Sequence, residues 1–436
     1  MTASARLAMA ACFTWLLSTT AACAAEPDAW VREHLPELIG LYRELHQVPE
    51  LSFQEVKTSQ RMATELKAIG CDVTTEFGGH GVVAILANGA GPKLMIRTDM
   101  DALPVVEQTG LAYASTVKTK DDSGATVGVM HACGHDIHMT NLVGVARYLA
   151  AHKARYRGTI MFVCQPAEER GSGAKKMLEA GLFTKFFKPD FSLALHVDGT
   201  LAAGSVGYKA GYLLANVDSV DITVRGRGGH GAYPQATIDP IVEAARLVLD
   251  LQTIVSREIK PTEPAVITVG SIHGGAKHNI IADSCHLQLT VRSYSDEVRK
   301  HLLSAIERKA KAAAASAAAP EPTIVVSEGT PATKNDEQLV ERVAPTFRRV
   351  LGDDKVAATE PSMAGEDYSE FGLAGVPIFM FQLGSVEAQR LAGFKRVGQQ
   401  PPSLHSPIYY PDAEPTITTG VIAMSSAVLV LLPAKK

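Results

Sequence analysis

Apolar positions follow two regimes along the chain, and the change between them divides the sequence. In the first, short continuous apolar runs read as strands buried on both faces: Gly81 to Ala87, Lys93 to Arg97, Gly158 to Cys164 and Phe191 to Leu195. Apolar residues recur at helical spacing over Thr140 to Ala151 and Gly173 to Glu179. Strand, helix, strand in this order predicts an α/β fold with a mostly parallel, doubly wound sheet and helices on both faces.

From Asn216 the regime changes. Ser219 to Arg225 alternates as a half-buried strand does. Asp239 and Pro240 open a helix that runs to about Ser256, with Asp at the cap and Pro at the first position. Ala265 to Ile272 and His286 to Arg292 read as strands. Ser295 caps a second helix with Asp296 and Glu297 in its first turn, and Thr323 to Val326 closes the segment. The order β-α-β-β-α-β predicts an inserted ferredoxin-like α+β domain over 216–328. The first regime resumes with Asp336 to Leu351 and Pro377 to Phe381, so the larger domain is expected over 26–215 and 329–436. Thr416 to Leu432 contains Ser and Thr and reads as a core-facing helix, not a membrane span.

The N-terminus is read separately. Arg6, the apolar run Leu7 to Leu17 and the small residues Ala22-Cys23-Ala24 form a secretory signal over 1–25, which implies export to the periplasm or the medium. A lipoprotein acylated at Cys23 is disfavoured because Thr20 stands where an aliphatic residue is usual. Of six cysteines, Cys12 and Cys23 fall in or beside this signal, and four in the remaining chain make no disulfide framework. Cys71, Cys164 and Cys285 read as small buried hydrophobes, with a disulfide between two of them left open. Charged residues are 20% of the chain and the net charge is -4, which gives no ground for a nucleic-acid or anionic-membrane partner.

Chemistry gathers where the strands of the larger domain end. Asp99 and Asp101 follow the second strand, Glu168 and Glu169 the third, and His196 the fourth. In open α/β sheets ligands bind at the carboxyl ends of the strands. Between them, residues 131–138 hold three His, one Cys and one Asp. Thiolate and imidazole suit borderline metals such as zinc. Cys133 and His135, two apart in an extended loop, are expected to point the same way. Glu168 and Glu169, adjacent in an extended segment, are expected to face opposite ways. One could then bind metal while the other faces a substrate water, as a metal-assisted hydrolase requires.

These residues belong to a series of motifs in order: Leu45-His46-Gln-Val-Pro49-Glu50-Leu51, Arg97-Thr-Asp99-Met-Asp101-Ala-Leu-Pro104, Met130-His-Ala-Cys-Gly-His-Asp136, Gln165-Pro-Ala-Glu-Glu169, Gly226-Arg-Gly-Gly-His230, Gly365-Glu-Asp367 and Leu404-His405-Ser406. With them the chain resembles the aminoacylase/carboxypeptidase family of dinuclear metallopeptidases. It looks closest to the branch of hippurate hydrolases and auxin-conjugate amidohydrolases. The resemblance implies hydrolysis of the amide bond of small N-acyl amino acids with two divalent ions per subunit (zinc, manganese, cobalt or nickel). It implies that Cys133 bridges the ions and that His135, Glu169, His196 and His405 complete the ligand set. Glu168 would be the general base and then the proton donor, and Asp101 would orient the site. His230 and Asn279, on the insert, would approach the scissile carbonyl and the substrate carboxylate as the insert closes like a lid, with Arg292 a further carboxylate contact. A homodimer through the insert is implied as well.

Other signals are set aside. Gly226-Arg-Gly228-Gly-His-Gly231 matches a dinucleotide fingerprint, but Ala232-Tyr-Pro234 follows where a helix should begin. No Gly-x-Ser-x-Gly is present. His34, His80, His152 and His301 lack clustered partners, and His46 is expected to pack. The runner-up activity is a dipeptidase or carboxypeptidase using the same residues. A non-catalytic binding homologue is disfavoured by the intact set of candidate ligands.

Overall fold

The computed structural model describes residues 26–434. The expected export signal, with Cys12 and Cys23, lies outside the described residues. The chain enters through α1 (Glu26–Gln47) and α2 (Val56–Ala68), then lays down β1 (Asp72–Phe77), β2 (Gly81–Asn88) and β3 (Lys93–Asp99). A long loop leads to α3 (His135–Ala151), β4 (Gly158–Gln165), α4 (Gly173–Glu179), β5 (Phe191–Ala202) and β6 (Val206–Tyr208). The insert contributes β7 (Asn216–Arg225), α5 (Pro240–Thr253), β8 (Ala265–Gly274), β9 (Ser284–Ser293), α6 (Asp296–Ser316) and β10 (Thr323–Thr330). The larger domain is completed by α7 (Glu337–Leu351), β11 (Val356–Ala358), β12 (Ile378–Val386) and α8 (Ala413–Leu431).

The large sheet runs β1-β2-β4-β3-β5-β12-β6-β11. Its centre, β4-β3-β5-β12, is parallel. Antiparallel pairs occur at β1-β2-β4 and at β12-β6. The central strands are buried on both faces, which is why they read as unbroken apolar runs. One face packs against α1, α3, α7 and α8, the other against α4. By length and composition α8 could cross a membrane, but 72% of its most apolar stretch is buried inside the fold, so it is a core helix.

The insert is a four-stranded antiparallel sheet ordered β8-β9-β7-β10. Its helices α5 and α6 close over a separate core that includes Ile222, Leu247, Leu287 and Leu302. Asp239 caps α5 by accepting from the Ile241 amide, and Ser295 caps α6 through the Val298 amide. The last strand of this sheet runs to Thr330, two residues past the expected boundary, because β10 keeps pairing with β7 as far as Val217–Thr330. In the larger domain α3 starts at His135 rather than Thr140. Gly134 takes a left-handed conformation (φ 79°) there and turns the chain directly into the helix.

Candidate metal centre

Parallel pairing brings β3, β4 and β5 to one edge, with Asp99 opposite Gln165. Each strand hands its polar residues to that edge. Asp101 follows β3, Glu168 and Glu169 follow β4, and His196 lies on β5. The loop before α3 enters from the side. Gly134 permits this path: a Cβ there would lie 2.7 Å from Cγ2 of Val197. Cys133 and His135 are therefore held on either side of a left-handed turn, not along an extended loop, and His135 is the first residue of α3. Glu168 and Glu169 are not extended either. Ala167 is left-handed (φ 51°), and Glu168–Arg170 form a short 3-10 turn.

Asp101 organises this turn. Its Oδ1 accepts from the Glu168 amide and its Oδ2 from the Glu169 amide, both at 3.0 Å. The Ser52 hydroxyl donates to Oδ2 at 2.6 Å. The Asp101 backbone carbonyl accepts Nδ1–H of His135 at 2.7 Å, which leaves Nε2 of His135 unprotonated unless the ring is charged. His196 is tied in the same way, with Nδ1–H donating to the Val197 carbonyl at 2.8 Å.

The remaining nitrogens converge. Nε2 of His196 lies 3.6 Å from Sγ of Cys133, and Nε2 of His405 lies 3.3 Å from it. His405 comes from a distant loop, pinned by its own amide on the Ala132 carbonyl at 2.9 Å. Its Nε2 is 3.5 Å from Oε1 of Glu169. Nε2 of His135 is 3.8 Å from both Glu168 and Glu169. Donor atoms of Cys133, Glu169 and His405 lie within 4.8 Å of one another, as do those of His135, Glu168 and Glu169. Nε2 of His135 and Oε1 of Glu169 are buried without a hydrogen-bond partner. A thiol, three imidazoles and carboxylates aimed at one space fit a pair of borderline divalent ions. His138, inside the same motif, is no part of this set. Its Nδ1–H donates to Asp99 at 2.7 Å and its Nε2 accepts the Val197 amide at 2.9 Å.

Electrostatics agree with the donor set. Burial, then Glu366 and Glu169, pushes the Glu168 carboxyl well above its usual range. Burial lifts Glu169 to about 7. Burial and the neighbouring carboxylates push the Cys133 thiol up. Burial opposes protonation of His135, but Asp99 and the other carboxylates outweigh it and carry the ring to about 10. The edge thus holds an excess of negative groups that a dication would stabilise, reversing these shifts.

A cleft of about 1050 Å³ opens over these residues. Cys133, Glu168, Glu169, His196 and His405 line it from the larger domain, and Val217, Ser219 and Arg292 from the insert. Arg292 donates to the Met363 carbonyl (2.6 Å) and the Thr290 hydroxyl (3.2 Å), and its Nη2 has no partner among the described residues. His230 and Asn279 are not brought to this cleft. They lie together and exposed on a two-stranded ladder of the insert, where His230 pairs with Ile280.

Three buried groups make contacts that residue type and spacing do not announce. Arg97 donates to Asp99 (2.8 Å), Glu366 (2.8 Å) and Gln165 (2.9 Å) beneath the site. His46, expected only to pack, is bonded to Asp136 at 2.6 Å and to Glu107 at 3.1 Å. Glu55, wholly buried, accepts the Ala167 amide at 2.8 Å. A charged residue within an apolar-periodic helix start was the available signal for Glu55.

Residues 95–393 match the profile of peptidase family M20/M25/M40. The chain belongs to this family. Over 360 residues this M20 enzyme is 37% identical to an N-acetyldiaminopimelate deacetylase of Limosilactobacillus reuteri, covering 81% of this chain and 91% of the relative. Over 339 residues it is 38% identical to an N-acetyl-L-cysteine deacetylase of Bacillus subtilis, covering 77% of each chain. A Staphylococcus aureus protein described as an aminohydrolase superimposes with a TM-score of 0.83 at 31% identity, covering 94% of this chain and 100% of that one. A dinuclear metal binding peptidase of the M20 family from Bacillus subtilis superimposes with a TM-score of 0.75 at 28% identity, covering 92% and 99%. The M20 enzyme is a metal-dependent hydrolase, and its cofactor is a pair of divalent metal ions.

Proposed function

We propose that the enzyme hydrolyses the amide bond of small N-acyl amino acids, releasing a carboxylic acid and a free amino acid. The observation that carries this is the convergence of five ligand-type side chains beside a buried glutamate, in a cleft that also receives Arg292. Cys133, His135, Glu169, His196 and His405 would hold the two ions. When bound, the ions supply Lewis-acid activation of water and of the amide carbonyl.

The chain's own residues do the rest. Glu168 takes the proton of the attacking water and returns it to the nitrogen of the leaving amine. Asp101 holds both glutamates by their amides and His135 by its ring, so that these groups need no reorganisation during the reaction. Arg292 meets the substrate α-carboxylate through the edge of its guanidinium that no described residue occupies. His230 and Asn279 contribute only if the insert closes over the cleft.

Two acyl groups are in view. The motif resemblance and the cleft volume support a hippurate-like benzoyl group. The deacetylase relatives support acetyl. Export of the mature chain rests on the signal-like residues 1–25, and intact-mass analysis of the mature N-terminus tests it. Exposed Val242 and Leu249 on α5 support a homodimer through the insert, which light scattering tests.

A hydrolysis panel of N-acetyl and N-benzoyl amino acids with defined added metals decides the acyl group. N-benzoylglycine is expected to be cut much faster than its C-terminal amide. Equal rates on the two would show that the carboxylate is not read and would turn the reading toward a broad amidase. Arg292→Leu is expected to narrow that difference by roughly ten- to a hundredfold, the usual loss for a charge-assisted contact.

A further inference from the structure

The turn that carries Glu168 and Glu169 is held from beneath by built-in anions. Three successive amides, those of Ala167, Glu168 and Glu169, point to the same side. The second and third are taken by Asp101 and the first by Glu55 at 2.8 Å. Successive amides in a left-handed-to-3-10 turn make an anion-binding concavity. Here the anions are side chains of the protein. Glu55 is wholly buried: one oxygen accepts the Ala167 amide and the other has no hydrogen-bond partner. Ala167 is one of few non-glycine residues with positive φ, at 51°. Phe53, at 65°, is another, and it lies between Ser52, which donates to Asp101, and Glu55. Backbone strain on both sides of one contact points to a geometry that the surroundings enforce.

We propose that Glu55 is a positioning residue of the M20 enzyme, holding the left-handed Ala167 so that the Glu168 carboxyl faces the cleft. This rests on Glu168 being the base. Asp101 alone grips Glu168 and Glu169 from one side. Without Glu55 the strained residue in front of them relaxes, and Glu168, its immediate neighbour, moves first. Glu169 is also bounded by Cys133 and His405 and moves less.

The test compares Glu55→Ala, Glu55→Gln and Glu55→Asp in the metal-loaded enzyme, with N-benzoylglycine and N-acetyl amino acids as substrates. Glu55→Ala should lower kcat at least tenfold, with KM within about threefold of the parent and both ions retained. Glu55→Gln keeps an acceptor for the Ala167 amide and should stay within about threefold of the parent. Ala167→Gly removes the penalty of the left-handed conformation, so adding it to Glu55→Ala should recover most of the lost kcat. A kcat for Glu55→Ala within twofold of the parent overturns the proposal. So does an equal loss with and without Ala167→Gly, or a loss that follows ion content. If Glu55→Ala does not fold, Glu55→Asp, one methylene too short to reach the amide, takes its place under the same criteria. Glu168→Gln, measured alongside, separates the two ideas. Inactive Glu168→Gln with parent-like Glu55→Ala leaves the base and removes Glu55, whereas parent-like Glu168→Gln removes the base itself and the Glu55 role with it.

Discussion

Asp101 Oδ1 accepts the amide N–H of Glu168 at 3.0 Å, although the two residues come from the ends of different strands. The same side chain holds Glu169, and its main chain holds His135. Asp101→Ala should therefore leave the fold intact yet free both glutamates. Turnover is expected to fall and ion affinity to weaken by about ten- to a hundredfold, as for other residues that orient ligands. Kinetics with titrated metal check this. Asp101→Asn should do little better, since an amide NH2 would then face a backbone N–H. Parent-like turnover in either variant would remove Asp101 from the organising role.

Glu168 and Glu169 should separate in mutagenesis. Glu168→Gln is expected to keep both ions and lose turnover by roughly a hundredfold or more, because the proton carrier is gone. Glu169→Gln should instead lower ion content, since its Oε1 faces His405 and His135. Ion content by mass spectrometry, read beside kcat, distinguishes them. The reverse pattern would mean the two roles are exchanged.

Chelation should abolish activity, and zinc, manganese or cobalt should restore it. Cys133→Ser should weaken ion affinity further, because a neutral hydroxyl replaces a thiolate donor between two imidazoles. Competition with a metal-sensitive dye measures the affinity. Unchanged affinity in this variant would take Cys133 out of the ligand set.

His46 predicts a pH dependence of stability. Burial alone would push its pKa down, but Asp136 and Glu107 outweigh burial and carry it up to about 10. The folded value lies above the unfolded one, near 6.5. The stabilisation is therefore complete below about pH 6.5 and is lost as pH rises toward about 10, at about 1.4 kcal/mol per pH unit. Urea melts from pH 6 to 9 should show His46→Gln less stable than the parent at pH 6, with the gap narrowing toward pH 9. A gap that stays constant over this range would show that folding does not raise the pKa of His46.

The sheet, the insert and the gathering of Asp, Glu, His and Cys side chains at the strand ends are legible in the sequence. Alternation and apolar runs report burial directly, and chemically unusual residues such as Cys133 and His135 stand out wherever the chain puts them. The short-range geometry was less legible. Cys133-Gly-His135 and Glu168-Glu169 read as extended, whereas Gly134 and Ala167 turn both segments through left-handed conformations that residue type alone does not announce. Tertiary structure also decided which polar residues are spent on one another. His138 lies in the same motif as His135, yet contacts from β3 and β5 occupy both of its nitrogens, whereas His135 and His196 bond backbone carbonyls through Nδ1 and turn Nε2 inward. His230 and Asn279 remain on the insert, away from the cleft, because the ladder with Ile280 and Ile281 faces outward. Glu55 reaches the Ala167 amide across 112 residues of chain, and Asp101 reaches the Glu168 amide across 67. Such contacts depend on how β3, β4 and the entry loop pack together, and side-chain periodicity carries information only over a few neighbouring residues.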